Sequence, residues 1–247
     1  SHPRPGRRRR APIAYTGTQR DTQPATPNGL RDLEELLELS ELSCPREALE
    51  PVLGYLCRML EENEKLNLSG IRDLHEALAL HVVDSLFVWQ AVAKPPRIIL
   101  DIGSGNGFPG VAAACLWPEA HVLLVERRQK KANAIARCAQ DVGITNVETL
   151  AVDAGQIPGL HPELRRGCDL VLSRATSRLA DIARLAAPLL RKEGLLVQWK
   201  ALQFPEDERR AYERQQKRLH LQSREDLLYV IQGAEPRPRR LVSALKL

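Results

Sequence analysis

A fourteen-residue stretch, RIILDIGSGNGFPG at residues 97–110, constrains the fold of this 247-residue chain more than any other part of it. Its apolar run lies between Pro96 and Gly103, as expected of a short strand buried on both faces. Glycines at alternate positions follow, and because glycine lacks a Cβ, the backbone there can bend sharply and lie against a ligand. A helix expected to begin near Pro109 would point its first amide groups at that ligand. The stretch therefore predicts a strand, a nucleotide-type turn and a helix.

The spacing of the glycines distinguishes between two kinds of nucleotide site. A dinucleotide site requires Gly-x-Gly-x-x-Gly, and Phe108 stands where the third glycine would be. The sequence reads Asp-x-Gly-x-Gly-x-Gly instead, which resembles the loop of S-adenosylmethionine (SAM) sites. In those sites the glycines make room for the methionine part of SAM, and the acid contacts the amino group of SAM through the loop or through water. The resemblance implies that four residues bind SAM: Asp101, Gly103, Gly105 and Gly107. A plain strand-to-helix turn without a ligand is the alternative.

Strand-like and helix-like segments alternate after the glycine loop, which is typical of a parallel α/β sheet. The second strand ends at Glu126, about twenty residues beyond the loop, where an acid accepts hydrogen bonds from ribose hydroxyls in α/β nucleotide sites. An acid that only caps the strand is the alternative. The third strand ends at Asp153, so the turn with Ala154 and Gly155 is expected to line the same crevice.

Later strands end at Ser173-Arg174 and at Trp199-Lys200, and two closing runs at 227–231 and 241–247 flank the sequence EPRPRR. The closing runs predict an antiparallel hairpin at the sheet edge. We therefore predict an α/β, class I, Rossmann-like fold of the SAM-dependent methyltransferase type. Its sheet is expected to have seven strands, mostly parallel, with a C-terminal antiparallel hairpin.

The net charge of +5 is confined to the first residues of the chain. Residues 1–29 hold six arginines and one acid, whereas residues 30–247 carry equal numbers of basic and acidic side chains. Residues 1–29 are expected to be a disordered basic tail, either an arm that binds phosphates or a solvated extension. Residues 30–94 contain amphipathic helices, the third over 73–92, and are predicted to form a small helical cap. Residues 95–247 are predicted to form the SAM-binding domain.

Composition limits the remaining possibilities. The five cysteines show no CxxC pairing and no clustered histidines, so neither a metal site nor a disulfide framework is expected. The sequence contains no apolar run of 18 residues, and we expect no membrane span. A cytoplasmic monomer is the expectation that follows.

Five segments together resemble the bacterial 16S ribosomal RNA guanine-N7 methyltransferase family, RsmG or GidB. They stand in the same order over roughly residues 45–247: NEKLNLSG with IRD, HVVDSL, LDIGSGNGFPG, LSRA and WKA. The resemblance implies SAM as cofactor and N7 methylation of guanine 527 in the 530 loop of 16S ribosomal RNA. It therefore also implies ribosomal RNA or the small ribosomal subunit as partner.

Carried over to this chain, the resemblance implies a role for individual residues. Gly103 and Phe108 would contact SAM, Glu126 its ribose, and Ala154 and Gly155 its adenine. Arg174 would lie at the methyl-transfer site as the catalytic residue and a neighbour of the cofactor. This chain has Lys200-Ala201 where the family commonly has Lys-Gly, which affects the expected geometry of that turn.

Five polar residues are expected either to contact RNA or to organise the site: Asn67, His81, Asp84, Ser85 and Lys200. The spacing of His81, Asp84 and Ser85 puts them on one helix face, which also suits a buried polar network between cap and sheet. Lys200 is expected to reach an RNA phosphate, with a plain snorkelling lysine as the alternative. Two other functions stay open: a small-molecule methyltransferase, and a non-catalytic RNA-binding or assembly protein.

Overall fold

The computed structural model of the chain describes residues 27–174 and 177–247. The predicted tail, except for its last residues from Pro27 onward, lies outside the described residues, so its role remains a prediction. The first helix begins at Pro27. No helix in the described part of the chain is long and apolar enough to cross a membrane.

One eight-stranded sheet forms the centre of the protein. Its order is β3-β2-β1-β4-β5-β8-β6, and β7 also pairs with β8. Strands β1 to β5 are parallel and the last three are antiparallel, which confirms the predicted fold. The strands are β1 (Ile98–Ile102), β2 (His121–Val125), β3 (Val147–Leu150), β4 (Cys168–Arg174), β5 (Leu190–Ala201), β6 (Leu221–Ser223), β7 (Leu227–Ile231) and β8 (Arg237–Lys246).

The closing strands differ from the prediction in two details. The predicted count of seven strands omits β6, whose three residues are too few to show an alternating pattern. Strand β8 begins at Arg237, inside the sequence expected to be a loop, because β7 pairs with its first half from Arg237 to Leu241. The same strand pairs with β5 on its other side, so its arginines belong to the sheet.

The helices lie in chain order around this sheet. They are α1 (Pro27–Leu39), α2 (Leu49–Leu66), α3 (Leu74–Ala77), α4 (Asp84–Leu86), α5 (Val88–Ala91), α6 (Gly110–Leu116), α7 (Gln129–Asp141), α8 (Ile157–Leu160), α9 (Leu179–Ala186) and α10 (Glu206–Leu219). Short 3₁₀ turns, at Arg46–Ala48, Ala154–Gln156 and Pro162–Leu164, precede or follow some of them.

Alternation along the strands creates two hydrophobic cores. In β1, Ile99 packs into the core shared with α1, α2 and α6, whereas Leu100 packs into the core shared with α9 and α10. Successive side chains of a strand point to opposite faces, so the apolar runs of the parallel strands fill both cores. The N-terminal helices and the sheet therefore share one continuous core.

Two helices differ from their predictions. The helix expected over 73–92 is interrupted by a π-helical turn, Leu78–Val83, in which the Asp84 N–H bonds to the carbonyl five residues earlier. The charged sequence of helix α10 predicts an element that faces solvent, but its Tyr212 and Glu208 are buried. Tyr212 packs into the core beneath α9, a contact that helical periodicity alone does not show.

The strand order locates the ligand crevice. It reverses between β1 and β4, because β2 and β3 lie on one side of β1 and the later strands lie on the other. Open α/β sheets bind ligands at such a switch point, outside the carboxyl ends of the strands. The glycine loop after β1 and Arg174 at the end of β4 both lie there.

Candidate active site

A cavity of about 540 Å³ opens at this switch point. The glycine loop forms one side of it, the π-helical turn another, and the ends of β4, β5 and β8 the floor. Its lining residues are Leu68, Ser69, Ile71, Leu80, His81, Asp84, Gly103, Ser104, Gly105, Asn106, Phe108, Arg174, Trp199, Lys200, Arg237 and Arg239. A cavity of this size is typical of a small-molecule or cofactor site.

The glycine loop adopts a backbone that favours glycine. Gly103, Gly105 and Gly107 have φ values of 73°, 57° and 94°, the left-handed region that other residues rarely enter. A Cβ at Gly107 would lie 2.1 Å from the Tyr55 hydroxyl oxygen, so close packing against α2 also requires glycine. A Cβ at Gly105 would meet only the Gly103 carbonyl, at 3.8 Å, so that side of the loop is open.

Asp101 lies at the end of β1 beneath the loop, with no exposed surface. Its Oδ2 accepts a hydrogen bond of 2.9 Å from the Gly110 N–H at the start of α6. Its Oδ1 is buried and has no hydrogen-bond partner among the described residues. Burial raises the pKa of Asp101 to about 7, although the Gly110 N–H and Arg174 oppose the shift. This acid therefore braces the glycine loop and keeps one oxygen available.

Arg174 is fixed by the π-helical turn. Its Nη1 donates to the carbonyl oxygens of Leu80 (3.0 Å) and His81 (3.4 Å), to Ser85 Oγ (3.1 Å) and to Asp84 Oδ2 (3.3 Å). Its side chain is only 12% exposed. Because Nη1 has several acceptors, the guanidinium is held in one orientation, and Nη2 lies 3.4 Å from Nδ1 of His81.

His81 connects three parts of the site. Its Nε2 lies 2.8 Å from Ser69 Oγ, its Nδ1 lies 3.4 Å from Arg174 Nη2, and its ring stacks on Phe108 at 5.9 Å. Burial, and next the charge of Arg174, lower the pKa of His81 to about 3, so the ring is neutral near pH 7. Arg174 and the Asn106 amide nitrogen can only donate, and Asn106 Nδ2 lies 3.4 Å from Nδ1 and 3.3 Å from Nε2, so the neutral ring meets these donors with one accepting nitrogen.

Asp84 joins the helical segment to the far strands. Its Oδ1 accepts a 2.6 Å hydrogen bond from the Tyr229 hydroxyl on β7, and its backbone carbonyl accepts one of 2.9 Å from the Trp199 indole on β5. Burial raises the pKa of Tyr229 well above its usual value, so the phenol remains a donor. Together with Ser85, which donates to the His81 carbonyl, these contacts form the buried network expected as one of the two alternatives.

The two remaining polar candidates have local partners. Asn67 caps α2 in a left-handed conformation, with its Oδ1 3.4 Å from Arg72 Nη2. Lys200 forms an ion pair of 2.7 Å with the buried carboxylate of Glu208 and donates to the Ser177 carbonyl at 2.9 Å. The lysine therefore ties β5 to α10, and its predicted contact with an RNA phosphate would have to compete with Glu208.

The candidates from the second and third strands lie outside the lining of this cavity. Glu126 is 9% exposed, and its Oε1 accepts from the Arg128 N–H at 2.8 Å. Asp153 accepts from the Gly155 N–H at 2.9 Å and so caps the turn that begins at Ala154. Strand β2 is next to β1 and β3 lies beyond β2, so both turns are at the same edge of the sheet as the glycine loop. They lie on the side of β1 opposite to Arg174.

Several residues of the site carry no sequence signal that would have assigned them. Tyr55 donates to the Asn106 carbonyl at 2.9 Å and packs edge-on against Phe108. Asn106 is within the glycine loop and could have been suspected from its place there. Nothing in the sequence around Tyr55 or Arg239 indicates that either residue reaches the site.

The geometry fits the cofactor implied by the glycine pattern. Gly105 presents an open backbone surface, and Asp101 has a buried oxygen without a hydrogen-bond partner among the described residues. Glu126 follows β2, the strand next to β1, at the same edge of the sheet. The O-methyltransferase TomG from Streptomyces achromogenes, solved in complex with SAM, shares the fold with a TM-score of 0.56. The identity is 17%, over 78% of this chain and 90% of TomG. Fold and site define a class I methyltransferase whose cofactor is SAM.

The sequence comparisons identify the family. The model of the GidB family, described as rRNA small subunit methyltransferase G, matches residues 48–237, and the chain belongs to this family. The chain is 34% identical over 167 residues to "Ribosomal RNA small subunit methyltransferase G" of Methylobacillus flagellatus, which is 68% of this chain and 78% of that protein. A relative of the same name from Bordetella petrii is 32% identical over 189 residues, with 74% and 71% covered.

Proposed function

We propose that this chain transfers the methyl group of SAM to N7 of a guanine in 16S ribosomal RNA. The family match over residues 48–237 carries the proposal, because the family and the relatives are named as ribosomal RNA small subunit methyltransferases. The N7 position, and guanine 527 as the target, rest on the resemblance of the sequence motifs. The small ribosomal subunit or its free RNA is the expected substrate.

The site is suited to a transfer that needs no base. When bound, SAM supplies a methyl group on a sulfonium sulfur. Guanine N7 already presents a lone pair, so no proton has to be removed before the new bond to carbon forms. The contribution expected of the protein is to hold the two reactants in line, roughly 3–3.5 Å apart. The several hydrogen bonds that hold Arg174 in one orientation are consistent with that task.

The part of the cavity beyond the glycine loop favours an anionic, planar substrate. Arg174, Arg237 and Arg239 all line it. The Nε of Arg239 is buried without a hydrogen-bond partner among the described residues, which is costly unless a ligand accepts from this guanidinium. An arginine can donate to a guanine edge or to a phosphate, and both are present in RNA. A base in folded RNA would be splayed out to enter such a cavity.

The direct test is to incubate the protein with labelled SAM and either 16S ribosomal RNA or small ribosomal subunits, and then to map the product. We expect label at N7 of a single guanine. Label at another atom or another base would contradict the N7 assignment. Transfer to a metabolite extract with none to RNA would favour the small-molecule alternative, and SAM binding without any transfer would favour a non-catalytic protein.

A second test addresses the role of Arg174. Replacing it with Ala should abolish transfer while SAM binding largely survives, because the glycine loop and Glu126 are unchanged. Since Arg174 also braces the π-helical turn, Arg174→Lys and an unfolding curve should accompany it to separate chemistry from folding. Loss of SAM binding in a folded variant would show that Arg174 holds the cofactor rather than the substrate.

A further inference from the structure

The segment from Asn67 to Asp73, which we call the rim loop, is held unusually firmly for a surface loop. The side chain of Asn63 both donates to the Ser69 carbonyl (2.9 Å) and accepts from the Ser69 N–H (2.7 Å). Ser69 Oγ in turn accepts from the Ile71 N–H at 3.0 Å. A loop with this many internal bonds presents its outward side chains in fixed positions.

Two cations from different elements converge on one residue of the rim loop. Arg72 Nη2 lies 3.4 Å from the Asn67 side-chain oxygen, and Lys131 Nζ, from the first turn of α7, donates to the Asn67 carbonyl at 3.0 Å. Neither side chain forms an ion pair within the described part of the chain. The neighbouring acid, Asp73, is already used as the cap of α3, where it accepts from the Glu76 N–H.

Farther from the rim loop, helices α2 and α7 do form ion pairs with each other, so the lack of ion pairs at the rim loop is local. Arg58 of α2 forms ion pairs with Glu61, Glu62 and Asp141, the last residue of α7. The arginine at this contact between α2 and α7 therefore has acidic partners. At the rim loop, Arg72 and Lys131 have neutral oxygen partners instead, which leaves a local positive potential.

The rim loop borders the cavity directly. Leu68, Ser69 and Ile71 line the cavity, whereas Arg72 and Lys131 lie outside its lining and are exposed and half-buried, respectively. A ligand that fills the cavity and also reaches both cations must extend over its rim. A polyanionic strand does this, whereas a compact cofactor within the crevice does not.

We propose that Arg72 and Lys131 bind backbone phosphates of the RNA strand that carries the target base, next to the nucleotide inserted in the cavity. This inference rests on the proposed function, since it takes RNA as the substrate. The rim loop would fix the register of the strand, and phosphate contacts of this kind position a nucleic acid without reading its sequence.

The test uses the double variant Arg72→Gln and Lys131→Gln in the full chain, with a small-subunit ribosomal RNA transcript as the probe. For single strands, the logarithm of the binding constant falls with the logarithm of salt by about 0.7 per phosphate contact. Loss of two contacts should reduce the slope by about 1.4 and weaken binding about 25-fold at 0.1 M salt. The KM for RNA should rise while the affinity for SAM stays unchanged.

Two further variants separate a charge effect from a structural one. The charge-retaining double variant Arg72→Lys and Lys131→Arg should restore the salt slope. The control variant Lys192→Gln and Arg218→Gln also removes two cations. Both are exposed, form no ion pair among the described residues and lie toward the amino end of the parallel strands, so the salt slope should stay unchanged.

The outcomes distinguish the inference from the function on which it rests. If the unmodified protein methylates the RNA but the Arg72 and Lys131 variant keeps its salt slope and KM, the rim inference is wrong and the proposed function stands. An equal change in the Lys192 and Arg218 control would also overturn it, because the effect would then be one of net charge. If the unmodified protein transfers nothing to RNA, the proposed function itself fails.

Discussion

The hydrogen bond from Tyr55 to the glycine loop gives a sharp prediction, because the removal of one oxygen atom breaks this link between the helical cap and the loop. The Tyr55 side chain is fully buried, and its hydroxyl donates to the Asn106 carbonyl at 2.9 Å. Burial raises the pKa of Tyr55 well above its usual value, so the hydroxyl is protonated and remains a donor near pH 7. Tyr55→Phe removes this bond and keeps the ring contact with Phe108.

The expected cost follows from the carbonyl that is left behind. A buried acceptor without a partner costs about 1–3 kcal/mol, so we expect Tyr55→Phe to lower the free energy of unfolding by about 2 kcal/mol. In a chain of this size that corresponds to a fall in Tm of roughly 4–8 °C. If half of this loss, about 1 kcal/mol, destabilises the loop conformation that binds SAM, the Kd for SAM rises about fivefold.

Tyr212 provides a matched control. It is also fully buried, but its hydroxyl bonds to no backbone carbonyl of the described residues and has the Gln216 side chain beside it. Tyr212→Phe should therefore be neutral or slightly stabilising and should leave SAM affinity unchanged. Urea unfolding and calorimetric titration with SAM measure both quantities. Equal effects of the two substitutions would refute the idea that the cap supports the cofactor loop through Tyr55.

Three further predictions concern the same region. The pKa of His81 is lowered to about 3, so its contribution to the free energy of unfolding is complete above pH 6.5 and falls by about 1.4 kcal/mol per pH unit between pH 6 and 4. Urea unfolding of His81→Gln should lack this part of the pH dependence. The raised pKa of Asp101, about 7, acts in the opposite direction: the stability of the unmodified protein relative to Asp101→Asn should decrease as pH rises from 4 to 7. Gly107→Ala should destabilise the fold by more than about 2 kcal/mol, because its Cβ would lie 2.1 Å from the Tyr55 hydroxyl and φ is 94°. The control Gly159→Ala has open space around the added Cβ and should unfold at nearly the same urea concentration as the unmodified protein.

The sequence was sufficient for those parts of the fold that depend on local patterns. Each of these parts is recognised from the residues directly beside it in the sequence. They are the apolar run before Asp101, the glycines after it, and Glu126 at the end of the next apolar run. The parallel sheet follows, because strands that alternate with helices can pair in few ways. The short strand β6 escapes this reasoning because three residues carry no period.

The contacts that shape the site are instead made between residues far apart in the chain. Tyr55 and Asn106 are 51 residues apart, Arg174 and Leu80 are 94 apart, and Asp84 and Tyr229 are 145 apart. No spacing rule reaches over such distances. The π-helical turn is not predicted, because by periodicity its residues fit a regular helix equally well. Its mark is the backbone hydrogen bond from the Asp84 N–H to the Ala79 carbonyl, which the sequence does not show.

These long-range contacts explain how a loop rich in glycine can form a defined cofactor site. Glycine lowers the steric cost of the bend but raises the entropy that is lost when the loop becomes ordered. In this chain other elements oppose that loss: Tyr55 bonds to the Asn106 carbonyl, the His81 ring stacks on Phe108, and Asp101 holds the start of α6. Because His81 also contacts Arg174, the residues that order the cofactor loop are continuous with those that hold the proposed catalytic arginine. Loosening the helical cap should therefore impair cofactor binding and methyl transfer together, even where no residue of the glycine loop is changed.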